Sequence, residues 1–354
     1  MRVAGTVRPS THVRPTSLKA RGADRHGLGM GWCCGRADNR CMHLVLPFAS
    51  GASRLGAQAL HSLQLPRLES LLAQLQPGSA IGTDACTLNL PHEQVLARCR
   101  GWPCDDGRLP FAAALARADG IPVDAGDDGW GLLTPTHWQV GREQVVLRDP
   151  DELALDEAQS RALLQAVLPL FHSEGWALHW GAPLRWYACH ASLRGLRTAS
   201  LDRVIGRAID PWLPQRQAAR QVRRLQSEVQ MLLHTHALND AREARGALPV
   251  NSFWLSGTGV APGAADAAAE PDVDLRLRTP LLAEDWAGWA EAWHGLDAQR
   301  LAELQARLQR GEAVSLTLCG ERRAQRFDGA PRNGWARLSA RWRRVAALPV
   351  LQAL

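Results

Sequence analysis

From residue 42 onward, short apolar runs with strand character alternate with stretches whose leucines recur every three or four positions. That alternation predicts helices packed on a sheet. His43-Leu44-Val45-Leu46-Pro47-Phe48 predicts a first strand. Leu65, Leu68, Leu71, Leu72 and Leu75 share one face of a helix over 66–76, opened by Pro66 and stopped by Pro77-Gly78. A short helix follows over 110–118. Trp130 to Leu147 predicts two strands around Gly141. Asp156 caps a helix running to about His172. Residues 175–190 predict a hairpin around Gly181-Ala182-Pro183, and the longest helix is expected at 217–237. A strand at 251–255 leads to 261–270 (APGAADAAAE), expected as a linker or mobile loop. Beyond it come strands at 272–278 and 313–319 and helices at 286–293, 297–310 and 333–345. The expected fold class is α/β or α+β, a mixed sheet flanked by helices. A body at 42–260 is expected to carry a smaller C-terminal α/β part at 271–354.

The charge is unevenly placed. The chain has 354 residues and a net charge of +6, and residues 1–41 hold eight Lys or Arg against two Asp. The remainder is neutral, so the basic balance does not argue for a nucleic-acid partner. Residues 1–41 lack apolar periodicity and a signal-peptide core. They are expected to be a disordered leader or an over-extended reading frame, with Met42 as the true start. No run approaches the ~18 apolar residues of a membrane span, so no membrane association is expected. Of eight cysteines, five lie outside the leader, without C-x-x-C spacing, which favours reduced thiols and a cytoplasmic location. Fourteen Trp against one Tyr suggest aromatic surface and allow a homo-oligomer.

The most informative run is His234 to Gly259, a helix end, an Arg-bearing turn and a strand ending in two glycines. Asn239, Arg242 and Asn251 are expected to converge on an anion pocket, because an Arg fork matches carboxylate and phosphate oxygens. Gly257 and Gly259 would let backbone N–H groups approach the anion. Capping by the two Asn and a solvated Arg242 is the competing expectation. His236 is expected on the apolar face of the long helix. Asp124, Asp127 and Asp128 form an acidic cluster, expected as a solvated turn. Ser50 and Ser53 follow the first strand without a paired His. The stretch 321–344 holds eight Arg with Trp335 and Trp342 and is expected as a solvated amphipathic helix; a protein- or nucleic-acid-binding surface is the sharper alternative.

The spacing Asn239-x-x-Arg242-x-x-x-Gly246-x-x-Pro249-x-Asn251-x-x-Trp254-x-x-Gly257-x-Gly259 resembles a segment of archaeal-type, cofactor-independent phosphoglycerate mutases. Arg185-Trp186-Tyr187-Ala188-Cys189-His190 and Asp202 to Asp210-Pro211 loosely resemble the stretch before it. The body 42–354 is more similar still to RpfE-type regulatory proteins. The resemblance implies substrate-binding roles for Asn239, Arg242, Asn251, Trp254, Gly257, Gly259 and Arg185. The mutases use two metal ions held by Asp and His, a Ser nucleophile, and an Asp-Gly motif after the first strand. Here that strand ends Pro47-Phe48-Ala49-Ser50-Gly51, so no cofactor or metal site is assigned and catalytic residues stay unnamed. The expected function is a mutase-like protein of the RpfE type binding a phosphorylated or carboxylated small molecule in a regulatory role. The alternatives are an active divergent mutase or phosphohydrolase needing a divalent metal, and an interaction module using 321–344.

Overall fold

The computed structural model describes residues 42–82, 86–123, 126, 128–214, 219–263, 270–329 and 345–354. The first half runs β1 (Met42–Leu46), α1 (Arg54–Ser62), α2 (Pro66–Gln74), β2 (Gln76–Ile81), α3 (Pro91–Cys99), α4 (Phe111–Ala118), β3 (Gly129–Thr136), β4 (Trp138–Val140), β5 (Val145–Leu147) and α5 (Glu157–Ser173). Then come β6 (Ala177–Ala182), β7 (Arg185–His190), α6 (Leu201–Val204), α7 (Ala219–His234), α8 (Ala237–Glu243) and β8 (Ser252–Val260). The last part holds β9 (Asp272–Val273), α9 (Arg278–Leu282), α10 (Trp286–Leu296), α11 (Ala302–Gln309), β10 (Val314–Cys319), β11 (Ala324–Gly329) and α12 (Ala347–Gln352).

Two larger sheets and an antiparallel two-stranded ribbon, β4-β5, organise these elements. The first has order β2-β11-β10-β1-β9 and is mixed: β1 runs parallel to β10 and β9, while β11 is antiparallel to β10 and β2. All five residues of β1 are buried, as a strand covered on both faces requires. β2 holds Pro77 and lies at the edge, where a missing N–H costs no ladder bond. The second sheet is antiparallel, β6-β7-β3-β8. The architecture is therefore a mixed α/β fold with helices flanking a mixed sheet.

The chain divides differently from the expected 42–260 and 271–354. β1 and β2 join β9, β10 and β11 in one sheet, so the first 40 or so described residues belong with the last part. The reason is that β1 is buried on both faces and, among the described residues, takes its parallel neighbours from β9 and β10. One core fills the first sheet's helical face, with Leu44, Leu46, Leu68, Leu71, Trp289 and Trp293 buried. A second lies under α5 and α7 on the second sheet, around Leu163, Phe171, Val229 and Phe253. A third joins the halves, packing Trp138, Trp254, Val204 and Ile205 with Leu88 and Leu282.

Local differences have local causes. α7 stops at His234, and His236 instead caps α8, its Nδ1 accepting from the Leu238 N–H at 3.2 Å. The strand expected over 272–278 is the two-residue β9, and Arg278 opens α9. Part of the 321–344 stretch is a strand, not a solvated helix. Within β11, Arg326 is buried, donating to Asp328 Oδ1 at 2.7 Å and to Ser315 Oγ at 3.0 Å. Residues 330–344, and with them the expected helix 333–345, lie outside the described residues, as do the leader 1–41, Asp124, Asp127 and positions 264–269. No helix among the described residues is long and apolar enough to cross a membrane.

Candidate functional site

The segment 239–259 is built as an internal brace. Asn239 and Arg242 sit three apart on α8 and so share a face. Asn239 is buried; its amide donates to the carbonyls of Leu233 and Val250, both at 2.8 Å, and its Oδ1 accepts from the Val250 N–H at 3.0 Å. Arg242 is 2% exposed. Its Nε donates to Leu248 O at 2.9 Å, and its two terminal nitrogens donate to Gln159 and to the Leu153 carbonyl. These two side chains thus shape the loop entering β8 and tie it to the start of α5. Asn251 pairs both ways with the Trp138 backbone, accepting at 2.7 Å and donating at 3.0 Å. The Trp254 indole donates to Ala199 O at 3.0 Å.

The two glycines meet protein. Gly257 takes φ +62° where the β3–β8 ladder is irregular, a backbone state that costs a Cβ-bearing residue. A Cβ there would stand 3.2 Å from the Ala112 nitrogen, and one on Gly259 would stand 3.0 Å from Pro110. Both glycines therefore admit the start of α4 against β8. Arg185 lies on β7, two strands from β8, with its fork on Asp119 at 2.8 Å through both bonds. The same Asp119 accepts from the Tyr187 hydroxyl at 2.6 Å. The structure thus brings Asn239 and Arg242 together around one loop, and gives every guanidinium and amide named here a partner within the chain.

A different group of polar residues gathers where the C-terminal ends of β1 and β10 meet the second half. Ligands of open α/β sheets bind at such strand ends. Phe48 follows β1 with φ +60°, rare for a residue with a side chain. Its ring lies 5.2 Å from that of His92, and its carbonyl accepts from the Trp289 indole at 3.0 Å. Burial pushes His92 down to about 4, with Arg203 and Arg278 adding to the effect against Asp202. Burial pushes Glu93 up to about 7, and nearby Asp202 adds to it, against hydrogen bonds from Asn89, Leu90 and Ser200. Arg203 is 1% exposed and donates to Thr87 Oγ1, Asn89 O and Glu321 O. Arg278 grips Asp202 at 2.6–3.0 Å, with Asp149 and Asp151 at 3.8 and 3.5 Å.

The metal pair implied by the resemblance does not fit these residues. The position after β1 presents a packed phenyl ring and a carbonyl already bonded to Trp289, with Ser50 buried behind it. Among the described residues, no group of three or more His, Cys, Asp or Glu side chains stands close enough to hold a metal ion.

The turn after β10, Gly320 to Arg323, completes this edge. Arg203 reaches the Glu321 carbonyl, and Arg207 reaches its carboxylate at 3.2 Å. The backbone N–H groups of Arg322 and Arg323 donate to Leu354 O. The guanidinium groups of Arg322 and Arg323 have no partner among the described residues. His92, Glu93, Arg203, Arg278, Arg322 and Arg323 were not singled out as site residues by spacing. A signal for two of them existed, since Leu90-Pro91-His92-Glu93 places Pro at a helix's first position and Glu at its third, a capping pattern.

No family model matches the chain. A probable 2,3-bisphosphoglycerate-independent phosphoglycerate mutase of Geobacter sulfurreducens is 25% identical over 164 residues, 45% of this chain and 39% of that protein. The match thus spans about two fifths of that relative's length. Among solved structures, a Pyrococcus horikoshii protein aligns with a TM-score of 0.45 at 10% identity, over 82% of this chain and 87% of that one. A cofactor-independent phosphoglycerate mutase of Thermoplasma acidophilum aligns with a TM-score of 0.35 at 13% identity, over 89% and 99%.

Proposed function

We propose that this chain is a phosphoglycerate-mutase-like protein of the RpfE type, which binds a phosphorylated or carboxylated small molecule in a regulatory role. The observation that carries this reading is the pair of guanidinium groups on Arg322 and Arg323, without a partner among the described residues, at the C-terminal edge of the parallel strands β1 and β10. A guanidinium fork suits carboxylate and phosphate oxygens, and this edge is the usual ligand position of such a sheet. Arg242 is a weaker candidate than spacing suggested, because an anion would have to displace its three internal acceptors. A first strand that ends Pro47-Phe48-Ala49-Ser50-Gly51, without a carboxylate, supports binding without two-metal phosphoryl transfer.

Thermal melting of the full chain with 3-phosphoglycerate, with and without Mn²⁺, tests the reading. A ligand at about 100 times its dissociation constant adds roughly 2.7 kcal/mol. A rise of several degrees is expected without metal, and its loss in the double variant Arg322→Ala, Arg323→Ala. A rise that needs Mn²⁺, together with interconversion of phosphoglycerates, favours the mutase alternative. No rise under any condition overturns the proposal.

A further inference from the structure

Thr136 ends β3 and Ser252 opens β8, and the two stand directly opposite each other in the antiparallel ladder. Their side chains therefore share one face of the sheet. Trp254, two residues beyond Ser252, projects from that face as well, and its ring lies 6.3 Å from that of Trp138. The face is closed by the packing that joins the two halves, with Ala199, Val204 and Ile205 buried against both indoles. Thr136 and Ser252 are 0 and 1% exposed.

The Trp254 indole on this face is satisfied. It donates to Ala199 O. Three atoms at one end are different. Thr136 Oγ1, Ser252 Oγ and Trp138 Nε1 are fully covered and have no hydrogen-bond partner among the described residues. A covered hydroxyl without a partner is costly, and folded proteins rarely leave one. Three at neighbouring positions call for a shared partner. Two hydroxyls, each able to give and accept, and one indole N–H supply the two to four bonds that an internal water makes.

We infer that Thr136, Ser252 and Trp138 form a binding site for a buried water molecule where β3, β4 and β8 meet. The water accepts from the Trp138 N–H and bonds both hydroxyls. It thereby bridges the end of β3 to the start of β8, beside the Asn251 amide that already pins Trp138.

The test is a high-resolution crystal structure of the full chain, with folding equilibria for Thr136→Val, Ser252→Ala and the double variant. A single water peak within hydrogen-bond distance of all three atoms is expected. Each single variant is expected to lower the folding equilibrium constant about fivefold. The double variant should lose less than the product of the two, because both act on one water. A dry site, a direct hydrogen bond between the two hydroxyls, or a hydroxyl-to-methyl change that raises stability overturns the inference. So does a double variant whose losses simply multiply.

Discussion

Replacing Glu93 with Gln should make the protein more stable in mild alkali and leave it almost unchanged in mild acid. Glu93 caps α3, accepting from the Leu90 N–H at 2.9 Å and the Asn89 amide at 3.1 Å. A Gln carbonyl can accept both bonds. The carboxyl titrates at about 7 when folded, against an ordinary 4.5. Between those values the folded chain keeps a proton that the unfolded chain has released, so stability falls as pH rises, by about 1.4 kcal/mol per pH unit. By pH 8 the loss amounts to about 3 kcal/mol. His92 and His43 act with the opposite sign. Burial lowers both from 6.5 to about 4, so the folded chain binds fewer protons there and their contribution to stability grows as pH rises through that window. The wild type should therefore gain stability from about pH 4 to 6.5 and lose some again by pH 8, whereas Glu93→Gln should keep the gain. Urea unfolding at half-unit steps from pH 4.5 to 8.5 measures both curves. A difference between variant and wild type that stays constant across that range refutes the assignment.

Arg242→Ala should cost roughly 2–3 kcal/mol in urea unfolding, because it strands the buried Leu153 carbonyl and removes the bonds to two partly buried acceptors, Leu248 O and Gln159. The 3-phosphoglycerate response, tested at a temperature where the variant remains folded, should persist. Gly259→Ala should cost roughly 1–3 kcal/mol, since its Cβ would press on Pro110 where α4 meets β8. Thermal melting reads that loss, and an unchanged melting temperature would remove the close-approach role.

The elements that sequence spacing marked well are those whose packing is one-sided. α2, α5 and α7 each bury a leucine-rich stripe, and the 3.6-residue repeat carries that into the sequence. α1 and β2 were missed because their signals are weak: Arg54–Ser62 buries only Gly56 and Leu60, and Gln76–Ile81 is mostly exposed. The division into units was illegible for another reason. Nothing local in Met42–Leu46 states that its neighbours lie at 272 and 314. The segment 239–259 was legible as special, but its reason was not. An Arg spaced from two Asn looks alike whether the donors meet a ligand or the carbonyls of Leu153 and Leu248. Only the path of the chain back to β8 distinguishes the two. Arg322 and Arg323 were marked only as part of the Arg-rich stretch 321–344, and their place at a strand end depends on the β1–β10 pairing.

That pairing also sets a timetable. His43 and Thr317, bonded at 2.8 Å across the two strands, lie 274 positions apart. At synthesis rates of about 5–20 residues per second, β1 waits roughly 15–55 s on the ribosome before its partner exists. The antiparallel sheet from β3 to β8 is finished within that interval and can fold first. Meanwhile a mostly apolar five-residue strand waits, both edges unpaired until β9 is made, open to wrong pairing or to a chaperone. Refolding from denaturant, where both strands are present from the start, should therefore follow a different order of events from folding during translation.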